Sequence, residues 1–291
     1  TGCYLTMTSS SLYGKELTFG LLDVLAQYYT GITGDNHSYA HEVIYDYDAS
    51  SSETRINAVW EDGYNLIANI NELIAYVDKA DTRMFTGRNY HLIRGEAYGL
   101  RAQMHFDLLR CFGKSYAAGP TEKAIPYITE NSKKVTPLST VEAVLAKILA
   151  DLEIAESELQ CDPVITGSVA SPDDVTYERD RTFKFNYYAV KMLQARVYLY
   201  MGNYEKAEAA ARVVVNQESF TFTPESEIST TDVASKNYVF SQELVFALYN
   251  SDLQSLYTAS FTPDNGLYML EETYESLYET DVYGAFTDYR Y

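Results

Sequence analysis

Apolar residues recur every three or four positions along several stretches of this chain, a spacing that predicts helices with one apolar face. One such stretch runs from Arg88 to Phe112. Its apolar face comprises Ala97, Leu100, Met104, Leu108 and Cys111. Gly113 follows the last apolar pair, at the position where a left-handed glycine often ends a helix. The pattern therefore predicts a half-buried helix that ends at Gly113.

The same spacing predicts further helices, at residues 17–29, 53–77, 139–160, 183–201 and 204–217. Ser139 opens one of them, with Glu142 at capping-box spacing and Leu138 before it as a hydrophobic staple. The buried face predicted for that helix comprises Val141, Val144, Leu145, Ile148, Leu152, Ala155 and Leu159. The side predicted to pack in the helix over 53–77 carries Trp60, Tyr64, Ile67, Asn71 and Ile74.

The segments between these helices are long and irregular in composition. Residues 30–52 are rich in Gly, Asp, Ser and Tyr, residues 114–137 contain three prolines, and residues 161–182 are polar. After Glu218, one apolar run from Glu243 to Tyr249 is compatible with a strand or a helix. We therefore predict a mostly α fold with long loops and little strand. Loops of this length in compact domains often carry function.

Two of the predicted helices, in the segment from Ala189 to Asn216, carry a repeat-like pattern. Small residues at Ala195 and Ala207 allow two antiparallel helices to approach closely, and Gly202 is placed for the turn between them. Tyr204 is expected to wedge against the second helix. This pattern is similar to a tetratricopeptide repeat, a helix–turn–helix unit of about 34 residues. Such repeats bury their faces against neighbouring helices, and the other predicted helices can supply them.

Composition and charge narrow the possible functions. The chain has 291 residues, 46% of them hydrophobic, which is enough for a large core. Its net charge of −19 argues against binding to nucleic acid or to anionic lipid. The 28 tyrosines offer flat apolar faces with a polar tip, which suits sugar rings, peptides and wet interfaces. No apolar run is long enough to predict a membrane span, and no signal peptide is visible.

Candidate metal and cofactor sites are weak in this sequence. The three cysteines form no Cys-x-x-Cys motif and indicate no disulfide framework. His37 and His41, beside Glu42, have the spacing of half a zinc site, but a third ligand is not evident. Asp173 and Asp174 lack the spaced oxygen ligands of a calcium loop. We therefore expect no metal, no cofactor and no catalytic residue.

Several motifs in order resemble the SusD/RagB family. The hallmark helix matches at Arg94, Glu96, Ala97, Leu100, Arg101, Ala102, Phe106, Asp107, Leu108, Arg110, Phe112 and Gly113. The helix from Trp60 to Asn71 resembles the first repeat helix of the family, and the 195–207 unit resembles a later one. Ser241 to Phe246 is similar to its Glu-x-Ile-Phe strand, and Tyr283 to Tyr291 is similar to its Asp-x-Arg-Phe segment.

The resemblance implies a SusD-like helical domain over residues 1–291, with helix pairs around 53–112 and 139–217 and a loop-rich part at 218–291. It also implies an outer-membrane, cell-surface lipoprotein of Bacteroidetes-type bacteria that binds glycans, or peptides in some branches. Such a protein is expected to serve a SusC-like TonB-dependent transporter and to perform no covalent chemistry. Family members are longer at both ends, so we expect the lipid anchor and further ligand contacts to lie outside this chain.

Ligand-binding residues are predicted in two tyrosine-bearing loops, because sugars present apolar faces and hydroxyl edges that suit aromatic rings flanked by Asp and Asn. The first loop, within 30–52, offers Asp35, Asn36, Tyr39, Tyr45 and Tyr47. The second, within 255–268, offers Tyr257, Asn265 and Tyr268. Trp60 lies on a repeat-helix stripe and is expected to pack in the core, and the charged hallmark residues are expected to form structural ion pairs.

Two other functions stay open at this point. An all-helical glycosidase could also be acidic and rich in tyrosine, but it requires two carboxylates at a sugar cleft, and no pair stands out in the sequence. A tetratricopeptide-type scaffold that binds peptides is expected to continue in regular repeats, whereas long loops interrupt them here. The identity of the ligand, glycan or peptide, is likewise open.

Overall fold

The computed structural model describes residues 1–32, 34, 36–167, 177–230, 232–261, 266–269 and 271–278, and these residues are mostly helical. Their α-helices are α1 Gly2–Met7, α2 Leu21–Leu25, α3 Ser50–Val77, α4 Asn89–Phe112, α5 Val141–Glu158, α6 Pro163–Thr166, α7 Tyr187–Tyr200, α8 Tyr204–Val215, α9 Glu225–Ile228, α10 Leu253–Ser260 and α11 Glu271–Leu277. Short 3-10 helices occupy Glu42–Ile44, Thr82–Met84, Leu159–Cys161, Arg181–Phe183, Val233–Ser235 and Ser241–Glu243. Within those residues the only β pairing is an antiparallel bridge between Lys123 and Thr140, so the mostly α prediction is confirmed.

The chain divides into two compact units. Unit 1 comprises Thr1–Asp62, Phe222–Glu243 and Tyr249–Tyr291, and unit 2 comprises Gly63–Thr221 and Leu244–Leu248. The boundary falls inside α3, between Asp62 and Gly63. In the described residues, every helix is too short or too polar to span a bilayer. The expectation of a single domain over 1–291 stays a prediction.

Helix α4 forms the centre of unit 2 rather than a half-buried surface helix. Every residue from Gly95 to Ala102 is buried, so the helix has almost no solvent face at its middle. Neighbours approach so closely that a Cβ added at Gly99 would lie 2.3 Å from the ring of Phe185. The prediction of a half-buried helix was therefore wrong, because the polar side chains Glu96, Arg101 and His105 each find a hydrogen-bond partner outside the helix and are buried with it.

The end of α4 and the cap of α5 differ from their predictions. Gly113 is extended rather than left-handed, with φ of −102°, and an added Cβ would lie 2.8 Å from the carbonyl oxygen of Leu109. Close approach, not positive φ, is the reason for glycine there. Helix α5 is capped by Thr140, whose side chain accepts from the Ala143 amide, and not by Ser139. The Ser139 amide instead donates to the carbonyl of Ile125.

The buried face predicted for α5 is confirmed, because all seven of its apolar positions are fully buried. Leu138, however, is exposed, so it does not act as a staple. A staple requires the residue before the cap to pack back on the helix. Here the backbone at residue 139 is used for pairing with Ile125 instead.

The hairpin of α7 and α8 matches the repeat-like prediction in its turn and its contact. Gly202 takes a φ of +73°, and the Asn203 side chain caps α8 by accepting from the Lys206 amide. Ala195 and Ala207 are both buried. Tyr204 is 71% exposed, so the expected wedge is wrong: it is the first residue of α8 and its side chain reaches solvent.

The Pro-rich connection between α4 and α5 is anchored by polar side chains of α3 and α4. Tyr64 donates to the carbonyl of Pro126, and Asn71 donates to the carbonyl of Ile128. His105 uses Nδ1 to donate to the Arg101 carbonyl and Nε2 to accept from the Ile128 amide. The long connection is therefore an ordered part of unit 2.

Two buried arginines of unit 2 each bind an aspartate through two nitrogens. Arg101 donates from Nε and Nη2 to Asp151, each at 2.7 Å. Arg181 binds Asp162 in the same way and also donates to Glu96 at 2.6 Å. Charges buried to this degree require such pairing. The structural role predicted for the hallmark arginine Arg101 is thus visible, although its partner lies on α5.

Unit 1 is less regular. The helix predicted over 17–29 is limited to Leu21–Leu25, because Gln27 takes a φ of +62° and the helical backbone cannot continue through it. The segment that resembles a strand, Ser241 to Phe246, begins as a 3-10 helix and contains no strand. Trp60 is half-buried on α3. The segment Tyr283 to Tyr291, and Asp173 and Asp174, lie outside the described residues.

Candidate functional site

Tyr39 lies in a buried charge cluster of unit 1, and its exposed fraction is 1%. Its hydroxyl donates to Glu16 Oε2 at 2.9 Å, and the Arg55 guanidinium carbon lies 4.0 Å from its ring centroid. Arg55 in turn donates to Glu16 and to Glu42. Burial and the Glu16 carboxylate raise the pKa of Tyr39. The prediction that Tyr39 stacks on a ligand is corrected by this burial, since neither ring face is accessible.

Tyr45 and Tyr47, called here the tyrosine pair, are each 49% exposed. Their ring centroids lie 6.5 Å apart, with the planes inclined at 57°. Tyr45 takes a φ of +60°, which is costly for a bulky residue, and its hydroxyl donates to the Leu25 carbonyl at 3.0 Å. The Gln27 side chain donates to the Val43 carbonyl at 2.9 Å. Tyr45 is therefore tied to α2 through its hydroxyl, and the Gln27 side chain ties the segment just before the tyrosine pair to the residues after α2.

The histidines of the same loop are engaged in local contacts. His41 Nδ1 lies 3.0 Å from Asp46 Oδ2, and His37 Nδ1 accepts from the Tyr39 amide. Among the described residues, no three His, Cys, Asp or Glu side chains are grouped as metal ligands. Asn36 is exposed next to this loop. Asp35 lies outside the described residues.

The second predicted loop presents Tyr257 and Tyr268 at the surface. Tyr257, on α10, is exposed, and its ring stacks on Phe261 with centroids 5.7 Å apart. Phe261 packs against Phe19 at 5.1 Å and against Tyr29 at 6.4 Å. Asn265 lies outside the described residues. An exposed ring thus stacks on a partly buried aromatic cluster.

The structure brings the two predicted loops together within unit 1. The Thr30 amide donates to the Tyr268 carbonyl at 3.2 Å. A Cβ added at Gly31 would lie 2.1 Å from the Tyr268 ring, so only glycine fits beneath that ring. The shared core cluster comprises Val24, Tyr29, Ile32, Tyr39 and Leu267. Residues distant in sequence therefore form one aromatic-rich region.

The residues that position these rings were not predicted from the sequence. Gln27 and Gly31 carry no ring, and their roles depend on a long-range hydrogen bond and on a close approach. A glycine in the Thr-Gly-Ile-Thr-Gly stretch was a usable signal for such an approach. Gln27 had none, because its left-handed backbone is unusual for that residue type.

The chemistry available in this region is stacking and hydrogen bonding. The exposed phenol rings offer apolar faces with a hydroxyl at the edge, which matches one face of a pyranose. The carboxylates of Glu16 and Glu42 are buried, and both are bound by Arg55. They are therefore unsuited to the acid and base roles that glycoside hydrolysis requires.

A separate polar cleft of about 570 Å³ in unit 2 lies beside α3 and α4. Its deepest polar groups are committed to partners. Arg101 binds Asp151, and the Tyr98 hydroxyl donates to Asp78 at 3.2 Å. These polar groups therefore stabilise the packing of unit 2, and the residues that line the cleft include no exposed aromatic ring to stack on a sugar.

The sequence of the chain is similar to that of SusD-like proteins. Residues 22–199 match a SusD-like family described as "Starch-binding associating with outer membrane". The chain is 27% identical over 167 residues to SusD-like protein P38 of Formosa agariphila, which covers 56% of this chain and 27% of that protein. The match to the family model spans more than half of the chain.

Solved structures are similar in fold. A SusD superfamily protein of Bacteroides fragilis aligns with a TM-score of 0.65 at 23% identity, over 86% of this chain and 54% of that one. A laminarin-binding SusD-like protein aligns with a TM-score of 0.56 at 19% identity, over 79% of this chain and 47% of that one. The chain thus spans about a quarter of the curated relative and about half of these structures.

Proposed function

Since the chain belongs to the SusD-like family, we propose that it takes part in capturing oligosaccharides at the cell surface, for import through a SusC-like TonB-dependent transporter of the outer membrane. The family is associated with the outer membrane and with starch binding. A structurally similar protein binds laminarin, a glucan. Attachment to the membrane, in this proposal, is through a lipid anchor outside this chain.

The observation that carries the proposal is the exposed aromatic region of unit 1. The tyrosine pair, Tyr257 and Tyr268 present rings that are about half exposed or more. The Tyr45 hydroxyl is hydrogen-bonded to a backbone carbonyl, the Tyr257 ring stacks on Phe261, and the Tyr268 ring lies against Gly31. A surface of pre-positioned aromatic rings suits a sugar chain, because little side-chain entropy is lost on binding. We assign ligand contact to Asn36, the tyrosine pair, Tyr257 and Tyr268, while Asp35 and Asn265 stay predicted ligand residues.

Binding of the full chain to starch and laminarin oligosaccharides, measured by isothermal titration calorimetry, tests the proposal. We expect Tyr47→Ala and Tyr257→Ala each to lower affinity about fivefold or more, since a stacking aromatic contributes roughly 1 kcal/mol. Tyr204→Ala is the matched control, because it removes an even more exposed tyrosine from unit 2. Unchanged affinity in both unit 1 variants, or an equal loss in the control, would contradict the assignment.

The same protein and oligosaccharides distinguish binding alone from the glycosidase alternative. Incubation of the chain with each bound oligosaccharide should leave the sugar intact, because the carboxylates near the tyrosine region are held by Arg55. Release of shorter sugars would replace the proposal with a hydrolase. Binding of peptides in place of every sugar would favour the scaffold alternative.

A further inference from the structure

A pocket of about 330 Å³ opens in unit 2 between α4 and α7. It is lined by Phe106, Arg110, Arg196, Leu199 and Tyr200. Phe106 is buried, whereas both arginines and Leu199 reach solvent. The pocket therefore places two cationic groups beside an apolar edge.

Among the described residues, the two guanidinium groups share one carboxylate partner, Asp107. Arg110 donates to Asp107 Oδ1 at 2.9 Å, and Arg196 Nη2 lies 3.9 Å from the same oxygen, beyond hydrogen-bond reach. Within the part of the chain that the structure describes, Arg196 donates no hydrogen bond. Both guanidinium carbons also lie near the Phe106 ring, at 5.7 and 5.8 Å from its centroid. The two arginines line the pocket and keep guanidinium donors that the described residues do not use.

This arrangement differs from that of the buried arginines of the same unit. Arg101 and Arg181 each bind an aspartate through two nitrogens. Arg110 and Arg196 are two cations for one such carboxylate and are open to solvent. In a chain with a net charge of −19, a locally cationic pocket is a place where one anion is attracted.

We propose that this pocket binds the carboxylate of a single acidic sugar residue, a uronic acid within an otherwise neutral glycan. Guanidinium groups have a planar fork that matches a carboxylate. The volume is at the lower end of small-molecule pockets, which span roughly 300–1,000 Å³, so it suits one sugar residue. Leu199 and Tyr200 offer an apolar edge for the sugar ring.

The strongly acidic chain favours an isolated acid over an acidic polymer or an acidic protein face. Repulsion from exposed charges is screened beyond about 8 Å at physiological ionic strength, so one anion in the pocket meets mainly the two arginines. A large acidic partner would also approach the acidic surroundings. The choice of a sugar as the carrier of the carboxylate rests on the proposed glycan-binding function.

Calorimetry of the full chain with an aldobiouronic acid, a glucuronate joined to one neutral sugar, tests the inference. The matched ligand is the same disaccharide with its carboxyl group reduced to an alcohol. We expect the acid to bind about tenfold more tightly than the alcohol. A hydrogen bond between charged groups is more favourable in free energy than a neutral one by an amount that corresponds to about this factor in affinity. Arg196→Gln and Arg110→Gln should each remove most of this preference.

Arg212→Gln is the control variant, since it removes an exposed arginine of α8 that is paired with Glu208. It should leave the preference for the acid unchanged. Thermal unfolding of all three variants checks that the fold is kept. Equal affinity for the acid and the alcohol, or an unchanged preference in Arg196→Gln, would overturn the inference.

The two proposals fail in distinguishable ways. If neutral oligosaccharides bind at the tyrosine pair but the acid has no advantage, only the pocket assignment is wrong. If no sugar binds and a short acidic peptide does so in an Arg196-dependent manner, the pocket is a protein-binding site and both proposals are wrong.

Discussion

Tyr127 of unit 2 and the tyrosine pair of unit 1 are placed in opposite ways. In unit 2, Tyr127 is almost fully buried and its hydroxyl donates to Asp151 at 2.5 Å. In unit 1, Tyr45 and Tyr47 keep half of their surface exposed, with only the hydroxyl of Tyr45 tied to the backbone. Tyr39, a few residues before them, is as buried as Tyr127. The role of a tyrosine is therefore set by what packs against its ring, not by the composition of its segment.

The backbone explains why the units differ. Unit 2 consists of long helices whose side chains meet at helical spacing, so polar groups inside it find partners on neighbouring helices. The tyrosine loops of unit 1 require positive φ at Gln27 and Tyr45 and a glycine at Gly31. This irregular backbone leaves the rings of Tyr45 and Tyr47 about half exposed. This contrast leads to three expectations, in decreasing order of effect.

Arg101→Met should have the largest effect on stability. It leaves Asp151 buried without its cation, which costs about 3–5 kcal/mol in such pairs. We expect this loss in the free energy of unfolding measured with urea. Arg83→Met removes an exposed arginine of the same unit, paired with Asp81, and should change stability little. A similar small change for Arg101→Met would mean that the buried pair does not stabilise unit 2.

Acidification should destabilise unit 2 through His105. Burial lowers the pKa of His105 from 6.5 to about 3, and Nε2 must stay unprotonated to accept from the Ile128 amide. Below pH 6.5 the unfolded chain binds a proton that the native chain does not. The contribution of His105 to the free energy of unfolding therefore falls by about 1.4 kcal/mol for each pH unit as the pH is lowered from about 6.5 to 3. Above that range it is constant.

Urea unfolding of the natural chain and of His105→Gln at pH 7 and pH 5 measures this contribution. The natural chain should lose about 2 kcal/mol more than the variant between these two pH values. His105→Gln is the reference for the natural chain, because all other titrating groups are common to both proteins. Parallel losses in the two proteins would show that His105 takes up no proton on unfolding.

Tyr39→Phe and Tyr47→Phe should separate the two kinds of tyrosine within unit 1. Tyr39→Phe removes a buried hydrogen bond to Glu16 and should lower the free energy of unfolding by about 1 kcal/mol. Tyr47→Phe removes an exposed hydroxyl and should leave stability within about 0.5 kcal/mol. Oligosaccharide affinity should be unchanged in the first variant. A loss of oligosaccharide affinity in Tyr39→Phe, with stability unchanged, would place the ligand at Tyr39.

Much of the fold was predictable because helical spacing is a local property. Helices α3, α4, α5, α7 and α8 appear within a few residues of their predicted bounds, and Gly202 makes its turn as expected. The errors lie at caps and in short elements. The choice of Thr140 over Ser139 depends on Ile125, which pairs with the backbone at Ser139. No local pattern contains that information.

For the candidate site, the sequence located the two tyrosine-bearing loops but could not rank their residues. Tyr39 and Tyr45 lie in the same loop, yet Arg55 on α3 covers the ring of Tyr39. The pairing of Gly31 with the Tyr268 ring joins segments more than 200 residues apart. Both facts follow from long-range packing.

The sequence by itself determined the helical frame, the acidic surface and the tyrosine-rich loops, since spacing, charge and composition are properties of the chain. Only the tertiary structure decided which tyrosines are buried, which arginines are fully paired and which are left beside an open pocket. The physical reason is that burial and ion pairing depend on partners brought together from distant positions, whereas helix formation depends mainly on near neighbours.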